Sequence, residues 1–173
     1  MSLGIYYSFY NSSILLITPQ IPYDINRDLV VSFLGNHAKL ISANLGPAIH
    51  IIMDRVSGKT MDCFVEFLSP LDARATCNSI NLRQRGLIRI SDRVVDVNMS
   101  SQNELLATLF PKAKDVKWVN GKPIVMQPEE EWSSGFKSFV SAEELGLLVK
   151  HAEQPHRVST ALFFTLIHNV KHQ

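Results

Sequence analysis

The segment Ser57-Gly58-Lys59-Thr60-Met61-Asp62-Cys63-Phe64-Val65-Glu66-Phe67 constrains the fold of this chain more than any other. Ser-Gly-Lys is a turn, and the residues after it alternate with period two. Cys63, Val65 and Phe67 therefore share one face, and Asp62, Phe64 and Glu66 share the other. The first face is built for a core. The second is half polar and carries a single aromatic ring. A ring at mid-strand behind a basic loop is an arrangement that can stack a nucleobase while the loop holds phosphates. A ring packed in a two-sided sheet is the alternative reading of the same residues.

The neighbouring segments supply the rest of a sheet. Ile14-Leu15-Leu16-Ile17-Thr18 is a short apolar run closed by Pro19, with the length of a buried strand. Leu29, Val30, Phe33 and Leu34 recur at helical spacing between the possible cap Asn26 and the stop Gly35, which predicts a helix over 26–35. Ala48 to Met53 reads as a second strand. Ser69-Pro70-Leu71-Asp72-Ala73 opens a helix, because Ser caps free amides, Pro suits the first turn and Asp complements the helix dipole. That helix is expected to reach about Ile80, with Leu71, Ala75 and Ile80 toward the core and Cys77 beside them. Leu87 to Ile90 is a short edge element, and Arg93 to Asn98 is the fourth strand.

The order β-α-β-β-α-β within residues 14–99 predicts an α+β fold, the ferredoxin-like split sandwich. In it an antiparallel four-stranded sheet carries two helices on one face and leaves the other open. A partly helical C-terminal extension follows.

Composition limits what such a domain can do. A chain of 173 residues with 46 % hydrophobic content can hold one cored domain and a small appendage. Lys and Arg number 17 against 16 Asp and Glu, so any surface for a polyanion must be local. The two cysteines make no framework of pairs and the six histidines are scattered, which gives no zinc module and fits a reducing nuclear or cytoplasmic compartment. Residues 1–13 read as a flexible lead-in that lacks the pattern of a secretory signal. Ala161 to Val170 is too short to span a bilayer and contains His168 and Asn169, so no membrane partner is expected.

With this order, residues 14–99 resemble an RNA recognition motif, and the whole chain looks like RNA-binding proteins of that family found in fungi. The resemblance rests on Thr60 to Phe67, which matches the family's octapeptide signature at its last four positions. It rests also on Ile14 to Thr18 at the hexapeptide signature and on the Ser-Pro-x-Asp-Ala helix start. It implies a non-enzymatic module for mRNA processing or post-transcriptional regulation, with single-stranded RNA as partner and neither cofactor nor small-molecule substrate. The RNA would lie on the sheet face opposite the helices, its bases stacked on aromatic rings and its backbone held by the loop between strands two and three.

The chain departs from that pattern in specific places. Thr60, Met61 and Asp62 stand where the family's octapeptide has a basic residue, glycine and an aromatic, and strand one offers only the aliphatic Leu15 or Ile17. Phe64 is the remaining ring. Stacking contributes roughly 1–3 kcal/mol per base, so losing two of three rings weakens binding by orders of magnitude unless other contacts compensate. Arg55 and Lys59 in the loop, Arg93 at strand four, and His50 with Ile52 on strand two are the compensating candidates. Glu66 and Asn98 complete the expected RNA-facing set. Solvated loop residues and a satisfied histidine are the plain alternatives. Arg83, Arg85 and Arg89 read as a solvated basic run. A quasi-motif that contacts protein through its helices or altered sheet face, inside a ribonucleoprotein assembly, is the second functional class.

Catalysis finds no support. The same fold order serves acyl-phosphate hydrolases, which need a glycine-rich loop and an arginine after strand one, and the loop from Thr18 to Asn26 has no glycine. Asp54 and Asp62 lack an apolar pocket that would split their pKa values, and neither Cys63 nor Cys77 has a histidine placed to activate it.

Beyond strand four, residues 100–140 read as a linker with a short helix through Leu105, Leu106 and Leu109, ended by Pro111. If those leucines cover Phe64, the stacking platform is closed. Trp118 and Trp132 read as anchors, with an RNA contact as the alternative for Trp118 beside Lys112, Lys114 and Lys117, and Glu129-Glu130-Glu131 reads as a solvated acidic run. Ser141-Ala142-Glu143-Glu144 is a capping box that opens a helix over 141–154, with Leu145, Leu148 and Val149 on one face. In the tail 155–173, Val158 onward reads either as translated intron, since Val-Ser is what an intron's consensus start encodes, or as an amphipathic helix; Met1 to Asn11 has the flavour of an intron's end.

Overall fold

The computed structural model describes residues 14–18, 21–53, 60–83, 87–127 and 135–153. Arg55, Lys59, Arg85, Trp132, the acidic run and both segments considered as translated intron lie outside them.

The elements are β1 (Ile14–Thr18), α1 (Arg27–Leu34), β2 (Ile49–Met53), β3 (Thr60–Glu66), α2 (Pro70–Arg83), β4 (Arg89–Ile90), β5 (Arg93–Val94) and β6 (Asp96–Ser100). After these come α3 (Gln102–Leu109), β7 (Val116–Val119), β8 (Lys122–Val125) and α4 (Ala142–Glu153). The main sheet has the order β2-β3-β1-β6, antiparallel throughout, with α1 and α2 in the two crossovers. This is the ferredoxin-like split β-α-β-β-α-β fold. The fourth strand of the sheet is β6; Arg93 and Val94 instead pair with β4 in a small ribbon.

The capping chemistry forms as the residues dictate. Asn26 Oδ1 accepts from Leu29 N at 2.9 Å to start α1, and Gly35 ends it at φ 88°, a conformation that suits glycine. Arg83 then donates from Nη2 to the carbonyls of Phe33 and Leu34 at 3.0 and 3.3 Å, placing a cation at the negative end of α1. This part of the expected solvated basic run is thus a structural clasp. Arg89 remains exposed and closes on its own ribbon, donating from Nη1 to Asp92 O at 2.9 Å.

The core between sheet and helices contains Ile17, Val30, Leu34, Ile49, Cys63, Val65, Phe67, Ile80 and Val97. On α2 the buried positions are Ala73, Thr76, Cys77 and Ile80, while Leu71 is 78 % exposed and Ala75 is also outside. The expectation that Leu71 and Ala75 face the core is therefore corrected. Positions 73, 76, 77 and 80 make one stripe at helical spacing, and 71, 75, 78 and 82 make the opposite one, so helix phase overrides the apolar character of Leu71.

Within the stretch expected to be a linker with a short helix, residues 101–127 form α3 and a hairpin. Ser101 caps α3 by accepting from Glu104 N at 3.3 Å, and β7 and β8 form a hairpin about Asn120 and Gly121, both at positive φ. Asn-Gly is the residue pair that a tight two-residue hairpin turn favours, and it is the sequence signal that reading this region as a loop overlooks. Gly121 N donates to Asn103 Oδ1 at 3.0 Å, which ties the hairpin to α3. The capping box of α4 closes reciprocally: Glu144 N donates to Ser141 Oγ at 3.3 Å, and Ser141 N donates to Glu144 Oε2 at 2.9 Å.

Candidate nucleic-acid interface

Alternation along β3 sends Asp62, Phe64 and Glu66 to the face away from α1 and α2, as the sequence predicts. That face is not open. Phe64 is 1 % exposed and lies in a second apolar cluster with Ile14, Leu105, Leu106, Leu109 and Phe110. Helix α3 follows the last sheet strand almost immediately and lays its apolar stripe over the sheet. Phe110, Trp118 and Phe139 extend the cover, with ring centres 5.6–5.7 Å apart. Trp118 is an anchor of this layer. The expectation of an exposed stacking ring at Phe64 is corrected: its partners are leucines of the same chain.

The strength of that cover decides what RNA could do to it. Burying a large apolar side chain contributes about 2 kcal/mol, so uncovering Phe64 with the three α3 leucines costs on the order of 8 kcal/mol. A single base stacked on the exposed ring would return roughly 1–3 kcal/mol. Stacking on Phe64 alone does not open the face.

The other expected contacts are redistributed. His50 and Ile52 do share this face, opposite Phe64 and Asp62 in register, but His50 is 5 % exposed and its Nε2 lies 2.6 Å from Glu66 Oε1. The imidazole expected to stack a base is held by the carboxylate expected beside it. Ile52 packs against the α3 cluster. Ile17 is corrected to the opposite side, fully buried in the main core. Leu15 pairs in register with Val65, a residue of that same core.

What remains accessible on the sheet is acidic or neutral. Asp96 and Asn98 on β6 are exposed and Asp62 is partly so. Burial, and then the nearby Glu104 carboxylate, raise the Asp62 carboxyl above the usual carboxylate range. Ser100 Oγ donates to Glu104 Oε2 at 2.6 Å, so the start of α3 adds another acid beside Asp62. A phosphate backbone would be repelled there.

The surviving cation–ring pair lies elsewhere. Arg93 Cζ stands 5.1 Å from the centre of the Tyr23 ring, which is 57 % exposed in the β1–α1 connection. Thr60 Oγ1 donates to Pro22 O at 3.0 Å, fastening that connection to the start of β3. Sequence reasoning identified Arg93 and missed Tyr23, which carries no periodic signal.

Burial pushes Cys63 up to about 12 and raises Cys77 as well, so both stay protonated at neutral pH. Among the described residues no group of three His, Cys, Asp or Glu side chains could hold a metal ion. No described helix is long and apolar enough to cross a membrane.

Fold and site together define a ferredoxin-like split β-α-β-β-α-β module whose sheet face is covered by its own third helix. The chain belongs to the family described as Domain of unknown function (DUF8400), whose model matches residues 11–120. No curated protein matches it. Among solved structures it is similar to the Glorund qRRM2 domain, with 20 % identity, TM-score 0.41, and coverage of 52 % of this chain and 90 % of that one. It is similar also to the second RNA recognition motif of RNA-binding protein 19, with 16 % identity, TM-score 0.40, and coverage of 52 % and 84 %. G-rich RNA sequence binding factor 1 from Homo sapiens matches with 16 % identity, TM-score 0.41, and coverage of 55 % and 86 %. The fold assignment rests on the strand order and register given above.

Proposed function

We propose that this chain is a non-enzymatic interaction module of an intracellular ribonucleoprotein assembly, contacting its partners outside the sheet face. The reading is carried by the burial of Phe64 beneath Leu105, Leu106 and Leu109. A sheet closed in this way serves as scaffold, and recognition passes to the surfaces around it. Protein contact along α2 is the leading form. Leu71 and Leu82 are 78 % and 76 % exposed on the stripe of α2 that faces away from the core, and two such leucines on one helix face favour a protein partner.

A second reading keeps single-stranded RNA, such as mRNA, as the ligand and moves it to the Tyr23–Arg93 corner. The guanidinium over an exposed ring supports it.

Titration of short single-stranded RNAs at two salt concentrations separates the two readings. The leading one expects no binding at micromolar protein, together with proteins retained from extract by the wild type and lost by a Leu71→Asp/Leu82→Asp variant. RNA binding abolished by Arg93→Ala or Tyr23→Ala would establish the second reading. Binding that depends on Phe64 would overturn both, since it needs the face opened.

A further inference from the structure

The sheet has an outer edge at β2, which lies at the end of the order β2-β3-β1-β6. One contact sets the hydrogen-bond phase there: Glu66 N donates to Ala48 O at 2.7 Å. In an antiparallel pair the bonded positions alternate, so Ala48, His50 and Ile52 bond toward β3, and Ile49 and Ile51 turn their N–H and C=O groups outward. Among the described residues, no hydrogen bond reaches those outward groups.

Natural sheets guard such edges with lysine, proline, an inward charge or a covering element. Ile49-His50-Ile51-Ile52-Met53 has neither lysine nor proline, and its only titratable group, His50, is engaged with Glu66. A register shift between Ile52 and Met53 disturbs only the far end. The strand also presents apolar side chains to both layers. Ile49 and Ile51 join the main core on the helix side, and Ile52 joins the α3 cluster on the other.

We propose that β2 pairs antiparallel with β2 of a second copy of the chain, about a two-fold axis through Ile51, so that two four-stranded sheets become one of eight. An added strand must bring apolar residues to both faces to continue both cores, and β2 itself does so through Ile49 and Ile51 on one side and Ile52 on the other. A charged peptide would set its charges against Ile51 and Ile52. The register follows from chemistry. An axis at Ile51 opposes Ile51 with Ile51 of the second copy, bringing their outward groups together in a hydrogen-bonded pair, and sets His50 opposite Ile52 and Ile49 opposite Met53. An axis at His50 would oppose the two imidazoles. The contact is isologous and closes, which limits assembly to a dimer. Its short length makes the dimer weak and concentration-dependent.

Sedimentation velocity of the full chain from low micromolar to several hundred micromolar, with hydrogen exchange read residue by residue at both ends of the range, tests the proposal. A monomer–dimer equilibrium is expected, with the Ile49 and Ile51 amides gaining protection as dimer forms. Ile51→Pro removes an outward N–H while leaving the β3 ladder bonds in place, and should weaken association by about tenfold or more. If that variant does not fold, Met53→Lys is expected to weaken association in the same direction by charging the edge. A chain that stays monomeric throughout overturns the proposal. So does a dimer that protects another surface, or one that the folded edge variants leave intact.

Discussion

His50 Nε2 lies 2.6 Å from Glu66 Oε1 on the sheet face that a base-binding member of this fold leaves open, and both side chains are largely buried. Two residues expected to meet RNA meet each other. Their contact fills the polar part of the interface that Phe64 fills with apolar surface.

The first prediction concerns this contact. His50→Ala removes a buried hydrogen bond and leaves space opposite Phe64, so it should destabilise the fold by about 2–3 kcal/mol in urea denaturation. Glu66→Gln keeps an acceptor at the same place and should cost less than half as much. Equal losses in the two variants would mean that carboxylate charge, rather than the hydrogen bond, holds the pair.

A second prediction follows from the cover over Phe64. Leu105 is buried on α3, and Leu105→Ala should cost about 2–5 kcal/mol by creating a cavity. Leu71→Ala on α2 should change stability by less than about 0.5 kcal/mol, because that side chain already stands in water. The contrast between two leucines on helices is measurable by thermal or chemical denaturation. A substantial loss at Leu71 with none at Leu105 would reverse the assignment of inner and outer faces.

These two leucines also show how far the sequence could be read. The alternation around Phe64, the Asn26 and Ser69 starts and the β-α-β-β-α-β order are local chemistry, and the sheet that forms follows them. Which stripe of α2 turns inward is decided by how the whole helix meets the sheet. Leu71 looks like a core residue until Ala73, Thr76, Cys77 and Ile80 take the inner stripe. The candidate site fails for a related reason. The apolar spacing of α3 was legible, but a helix stripe does not say which surface it will cover, and here it covers the ring on which the RNA reading depended. The Asn120-Gly121 hairpin, by contrast, was legible and overlooked.

The acid beside that cover gives a pH prediction. The folded state raises the Asp62 carboxyl above its ordinary value of 3.8, through burial and the Glu104 charge. Such a group favours folding fully when protonated, below its unfolded-state pKa, and loses that contribution as pH rises through the raised folded-state value. From pH about 4 upward, Asp62 should therefore subtract from stability. Asp62→Asn should stabilise the protein at neutral pH by up to about 0.5 kcal/mol, the side chain being partly in water, and should flatten the stability profile above pH about 4. A profile that is as steep in the variant would assign the slope to other carboxylates.

The buried thiols make a kinetic prediction. With Cys63 pushed up to about 12 and shielded in the main core, alkylation at pH about 8 needs both exposure and ionisation, which the folded state denies. Labelling of Cys63 should thus proceed at the rate of global opening and accelerate with urea in step with unfolding. Rapid native-state labelling of Cys63 would mean that the core between sheet and helices opens locally.

The final prediction tests whether the hairpin supports the closed face. Gly121 N donates to Asn103 Oδ1, joining the β7–β8 turn to the first turn of α3, while Trp118 of the same hairpin packs on Phe110. Asn103→Ala removes the link without touching the apolar cluster and should cost about 1 kcal/mol. Gly121→Ala keeps the amide but forces a side chain into a backbone with φ 74°, and should cost a comparable amount through strain. If the hairpin braces α3, both variants should speed hydrogen exchange at the backbone amide of position 121 and along α3 together. Faster exchange confined to the hairpin would mean that α3 holds the sheet by its leucines alone, with the hairpin riding on it rather than fastening it.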